Sequence, residues 1–109
     1  MIDHEEAMKI LSIEEIQSVV AKRFQVNVQH ILATDRSASI VTPRQIAMFL
    51  SKKVTNCGLK EIAKKFERTH ASIIHGVRTI EKRIDTEPEI KKIIEEILAG
   101  WNYRLADVR

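Results

Sequence analysis

Apolar side chains recur every third or fourth residue along most of this chain. That spacing gathers them on one side of an α-helix and scatters them over both faces of a β-strand. Ile13, Ile16, Val20 and Phe24 form one such stripe, and Ile46, Ala47, Leu50 and Val54 a second. Leu59, Ile62, Ala63 and Phe66 form a third, and Ile73, Val77, Ile80 and Ile84 a fourth. The fifth is the most regular: Ile90, Ile93, Ile94, Ile97, Leu98 and Trp101. A short further helix fits Val28 to Leu32. Turn formers are scarce, with three glycines and two prolines in 109 residues. Long helices with short connections suit that scarcity, and a sheet with many turns does not. The expectation is an all-α fold of about six helices. It forms one domain over residues 1–109, with its core over about 12–99.

Local signals suggest where the helices begin and end. Ser12-Ile13-Glu14-Glu15 fits a capping box, a serine N-cap with glutamate three residues on. Residues 33–41 are small and polar and read as a loop. Thr42-Pro43 reads as a helix start, threonine capping and proline at the first helical position. Thr55-Asn56-Cys57-Gly58 breaks that helix. Glu67-Arg68-Thr69 is a short polar connection, and Asp85-Thr86-Glu87-Pro88 a second break. Gly100 stands where the last helix would stop, and residues 102–109 remain unassigned.

Charge is unevenly spread. Residues 1–35 carry six acids and three bases, and residues 85–109 six acids and four bases. Residues 36–84 carry eleven bases and three acids, a net of +8. A basic centre between acidic flanks suggests a local face for a polyanion.

Several other classes of function lack their signatures. The lone Cys57 cannot form an internal disulfide. No apolar run approaches a membrane span, and Met1-Ile2-Asp3-His4-Glu5-Glu6 has the wrong charge for a signal peptide. A soluble cytoplasmic protein follows as the expectation. His70 and His75 are five residues apart, where two ligands on one helical face need four. Cys57 is too isolated for a zinc site or a catalytic pair. Neither metal, cofactor nor enzymatic activity is expected.

Two short helices joined by a tight polar turn over residues 59–84 form a helix-turn-helix pattern. In that motif the second helix enters the major groove and its N-terminal residues reach base edges. Its core stripe leaves His70, Ala71, Ser72, His75, Arg78, Thr79 and Lys82 on the open side. Short side chains at the start allow close approach. His70 and Ser72 can hydrogen-bond to bases, and Ala71 offers a methyl group to thymine methyls. The same pattern also fits an ordinary helical hairpin.

The order of residues in this region resembles a known family. Pro43-Arg44-Gln45-Ile46-Ala47-Met48-Phe49-Leu50 is similar to the signature of the C-terminal DNA-binding domain of the bacterial replication initiator DnaA. Thr55-Asn56, Leu59-Lys60-Glu61-Ile62, Phe66 and His70-Ala71-Ser72-Ile73-Ile74-His75-Gly76 follow in the family's order. Weaker similarity runs from Ile16 to about Leu98. The resemblance implies a Trp-repressor-like helical fold and duplex DNA as partner. It implies that Arg44, Gln45 and Lys52 hold the DNA backbone, and that His70 and Ser72 belong to the base-reading motif. With Lys53, Arg68, Thr69, Ala71 and His75 these make up the expected DNA-binding set. Arg44, Gln45, Lys52 and Lys53 are expected to form one phosphate-facing patch, with Arg44 in the first turn of its helix.

Departures from the family pattern are specific. The turn Glu67-Arg68-Thr69 is one residue shorter than the family's Gly-Gly-Arg-Asp. Thr69 stands where the family has a base-contacting aspartate, and Ala71 where it has a threonine. Ala38 stands where it has an arginine that enters the minor groove, and Gly58 replaces a serine N-cap. A weaker preference for the family's standard site is therefore expected. The initiator's ATPase module needs G-x-x-x-x-G-K-[ST], and Gly58, Gly76 and Gly100 are far apart. No nucleotide cofactor is expected. The start at Met1 and the altered readers suggest a freestanding relative. A protein-interaction module that kept the fold but lost strong DNA affinity is the alternative.

Overall fold

The computed structural model describes residues 10–109, so the charged segment Met1 to Glu6 lies outside the described residues. Seven helices follow one another, and there is no strand among the described residues. They are α1 (Ile13–Arg23), α2 (Val28–Leu32), α3 (Ala38–Val54), α4 (Leu59–Phe66), α5 (His70–Thr86), α6 (Pro88–Gly100) and α7 (Leu105–Val108). The last is a short helix in the tail to which the sequence assigned nothing.

The capping box forms as expected. The Glu15 amide donates to Ser12 Oγ at 3.1 Å, and the Ser12 amide donates to Glu15 Oε1 at 3.4 Å. Three helix ends share a different device. The amides of Val26, Arg68 and Tyr103 each donate to the carbonyl five residues back, on Ala21, Ala63 and Leu98, at 2.9 Å. Each bond requires the preceding residue to turn left-handed. Those residues are Gln25 (φ 58°), Glu67 (φ 54°) and Asn102 (φ 64°), while no glycine has positive φ. Gly100 therefore ends α6 without supplying its left-handed turn.

Two boundaries differ from the sequence reading. Residues 33–41 are not all loop: α3 starts at Ala38, with Ser37 as N-cap. Thr42-Pro43 lies inside the helix, where proline removes the bond to the Ser39 carbonyl. Ile40, 7% exposed, accounts for the added turn, since an unwound segment would leave its side chain in water. Likewise, the expected break at 85–88 shrinks to Glu87, which ends α5 and caps α6. Arg83 holds it there through two bonds, Nε to Oε2 at 2.7 Å and Nη2 to Oε1 at 3.0 Å.

The core gathers all five apolar stripes. Phe49 and Phe66 are its largest fully buried side chains, packed with Ile16, Ile46, Leu50, Ile62, Ile73, Ile80, Ile94 and Leu98. Helix α3 runs through the middle and α5 crosses it closely. A Cβ on Gly76 would lie 2.7 Å from Met48 Sδ and 3.5 Å from Gln45 Cγ. That approach seats the first half of α5 directly on Gln45. Buried Gln17 ties α1 to the end of α4 by donating to the Lys65 carbonyl at 3.1 Å. Beside it Lys65 pairs with Glu14 at 2.5 Å, a bond that holds the Glu14 carboxyl below its ordinary pKa.

Candidate nucleic-acid interface

Helices α4 and α5 form the helix-turn-helix, and its turn is built by main-chain bonds. Glu67 closes α4, with its amide to the Lys64 carbonyl at 3.2 Å and the Arg68 amide to Ala63 at 2.9 Å. Thr69 then starts α5 as its N-cap, its Oγ1 accepting from the Ser72 amide at 3.1 Å. The Thr69 hydroxyl also donates to Ser72 Oγ at 3.2 Å. Both side chains are thus partly engaged in capping, and Ser72 is half-buried and not fully open. Thr79, also expected on the open side, is half-buried too.

Up to Lys82 the exposed face of α5 carries His70, Ala71, His75, Arg78 and Lys82, and Asp85 and Thr86 follow at the helix's far end. Ala71, His75, Arg78 and Lys82 follow at steps of four, three and four, so they form one ridge along the helix. No side chain on that ridge is acidic.

Next to the ridge opens a cleft of about 680 Å³. Ser72 and His75 of α5, Glu67 and Arg68 of the turn, and Val41, Arg44 and Gln45 of α3 line it, together with Thr34 and Arg36. It is where loop 33–37, the first half of α3 and the helix-turn-helix meet. Three arginines and a histidine face one glutamate there, a surface suited to phosphate.

The expected phosphate patch does not form as one unit. Arg44 is 6% exposed and lies beyond the first turn of α3, on the floor of the cleft. Its Nε donates to the Ile31 carbonyl at 2.7 Å and its Nη2 to the Ala33 carbonyl at 2.7 Å. Burial, and then the charge of Arg68, push its pKa below the ordinary arginine value. The guanidinium is spent on α2's C-terminal carbonyls, so it supports the site from beneath. Arg68 is similarly engaged, with the carbonyls of Leu32, Ala33, Phe66 and Glu67. Lys53 pairs with Glu81 at 2.8 Å and lies 5.8 Å from the Phe49 ring centre. Gln45 stays on the cleft. Lys52 is exposed at the far end of α3, beside Arg78 on a smaller apolar cleft shared with Leu59, Ile74 and Val77.

The basic centre resolves accordingly. Lys53, Lys65 and Arg83 are ion-paired, and Arg44 and Arg68 serve carbonyls. Arg36, Lys52, Lys60, Lys64, Arg78 and Lys82 are exposed and carry no ion pair among the described residues. Arg36 is the residue that sequence reasoning passed over. Ala38, the supposed site of a missing minor-groove arginine, is exposed at the start of α3 and does not line the cleft. Arg36, two residues earlier, does. A single arginine among the small polar residues before a helix was the available signal.

A second helix presented by a tight turn, with a small and polar outer start, beside a cationic cleft, defines a DNA-binding helix-turn-helix domain. Residues 13–80 match the model of the bacterial dnaA protein helix-turn-helix family. The chain belongs to that family. It is similar to the chromosomal replication initiator protein DnaA of Ehrlichia ruminantium (strain Gardel), 44% identical over 84 residues. That similarity covers 76% of this chain and 18% of the relative. With the protein of the same name from Geotalea uraniireducens (strain Rf4) it shares 38% identity over 93 residues, 84% of this chain and 21% of the relative. The chain thus matches about a fifth of the length of these curated relatives. The alternative of a fold kept for protein interaction alone is not favoured. No helix among the described residues is long and apolar enough to cross a membrane.

Proposed function

We propose that this chain binds duplex DNA with sequence preference and acts in replication initiation or its regulation. Helix α5 lies in the major groove, and Arg36 and the cleft meet the adjacent backbone or minor groove. The exposed, acid-free ridge of α5 beside the arginine-lined cleft carries this reading. The relatives' name, chromosomal replication initiator, supports the cellular role. The role is binding and not catalysis, with DNA as partner, no nucleotide cofactor, and the cytoplasmic nucleoid as its location.

Preference for the standard initiator site is weaker than in the family. Thr69 offers no carboxylate to a cytosine amino group, and capping occupies its hydroxyl. Ala71 presents a methyl group alone. A bidentate base contact is worth about 1–3 kcal/mol of discrimination. Arg36 keeps a cation at the groove edge, so affinity driven by phosphates persists.

The test is selection from random duplexes, then competition between the selected duplex, the standard initiator site and a scrambled duplex at two salt concentrations. Binding must weaken steeply with salt, and the selected duplex must win. Binding that ignores salt, or no binding, overturns the proposal. A preference for the standard site equal to that of a typical initiator domain removes the claim of altered reading.

A further inference from the structure

Two arginines far apart in sequence meet on one carbonyl oxygen. Ala33 O accepts from Arg44 Nη2 at 2.7 Å and also from Arg68 Nη2. Arg44 adds the carbonyls of Ile31 and His30, at 2.7 and 3.4 Å. Arg68 Nη1 reaches Leu32 O and Phe66 O at 3.2 Å and Glu67 O at 3.3 Å. The acceptors on the α2 side are carbonyls of that helix's last turn and its cap, Ala33. His30 O also takes the Ala33 amide at 3.3 Å, and the others lie at the negative end of the helix dipole, where amide partners run out. They are what allows two like charges to sit together.

The arrangement has a mechanical consequence. Arg68 bonds both to the helix-turn-helix turn and to the segment that begins loop 33–37. No other hydrogen bond among the described residues joins residues 67–69 to residues 30–37. The loop carries Arg36, and the turn launches α5. The one direct tie between the cation's loop and the turn that launches the reading helix is therefore the Arg68 guanidinium, beside a longer route through Arg44 and α3. We propose that Arg68 is a positioning residue for DNA reading, holding Arg36 against the N-terminal end of α5 through the carbonyls of Leu32 and Ala33. This rests on the reading of the chain as a duplex DNA binder. It gives Arg68 a role distinct from that of a phosphate contact.

The experiment compares the full chain with Arg68→Ala and Arg68→Lys. Without DNA, ¹⁵N relaxation reports the order of residues 34–37. A rigid backbone has an order parameter of about 0.85, and both variants should fall toward about 0.6 there. With DNA, the probes are the duplex selected by the wild-type chain and a scrambled duplex. Both variants should lose about tenfold on the selected duplex and under about twofold on the scrambled one, since discrimination lies in base contacts. The slope of log affinity against log salt should stay at the wild-type value. Arg68→Lys matters because it keeps the charge but cannot span four carbonyls. It also carries the test if circular dichroism shows Arg68→Ala unfolded.

Equal losses on both duplexes, with a slope lower by about one, would make Arg68 a phosphate contact and overturn the proposal. Unchanged order in loop 33–37 would overturn it too. If the wild-type chain does not bind DNA, the functional reading falls. The relaxation result then still decides whether Arg68 orders the loop.

Discussion

Residues 43–50 on α3 and residues 69–75 at the start of α5 lie on helices that cross one another, yet they serve different purposes. In the first stretch every side chain but Gln45 is buried. In the second, Thr69, His70, Ala71 and His75 are exposed. The stretch that most resembles an initiator is therefore largely packing, and even its arginine is spent inside the fold. A change there acts on stability before it acts on reading. A change at His70, Ala71 or His75 does the reverse, because exposed side chains that cap nothing contribute little to stability and all of their chemistry to a partner. A signature block can thus establish a scaffold while leaving the target sequence open.

The largest expected effect lies in the buried stretch. Phe49→Ala removes a fully buried ring from the centre of the core. It should cost about 3–5 kcal/mol in chemical denaturation. A loss below 1 kcal/mol would show that the stretch is not the scaffold described here.

Arg44→Ala sharpens the comparison. It leaves the Ile31 carbonyl without its side-chain donor and the Ala33 carbonyl with Arg68 alone. A loss of about 2–3 kcal/mol is expected, since hydrogen bonds from charged groups are worth more than neutral ones. At a temperature where the variant stays folded, the salt slope of DNA binding should not change. A slope lower by about one would mean that Arg44 does reach phosphate.

His70→Ala tests the exposed stretch. Stability should move by less than about 0.5 kcal/mol. Discrimination between selected and scrambled duplexes should fall by about 1–3 kcal/mol if His70 contacts a base edge. The opposite pattern would erase the distinction between the two stretches.

The smallest effect should come from Glu67→Gly. Glu67 holds φ 54°, a conformation costly for residues with a Cβ. The substitution should gain about 0.5–1 kcal/mol, less than the full relief because glycine loses more chain entropy on folding. It also removes the one acid lining the arginine cleft, so affinity for scrambled duplex should rise. A destabilised variant would mean that the Glu67 side chain contributes to the turn.

Much of the fold was legible because its causes are local. The Ser12–Glu15 box and the regular stripe from Ile90 to Trp101 need only residues three or four apart, and each appears where the sequence put it. The helix-turn-helix was legible for the same reason, with the family match over residues 13–80 agreeing. Thr42-Pro43 misled because a proline at the first helical position and one in a later turn look alike in sequence. What separates them is the burial of Ile40, a tertiary contact.

Sequence by itself determined that this chain is helical, where most helices start, which side chains form the core, and that its middle is basic. Helix period, capping and charge count depend on neighbours along the chain. Only the tertiary structure decided which cations remain free for DNA. By charge alone Arg44, Arg68 and Arg36 are alike, and the family resemblance pointed to Arg44 and passed over Arg36. Their fates diverge because the carbonyls at the end of α2 come within reach of two of them and leave the third in the open. A guanidinium bonds to the nearest unsatisfied acceptor, and folding alone brings that acceptor near.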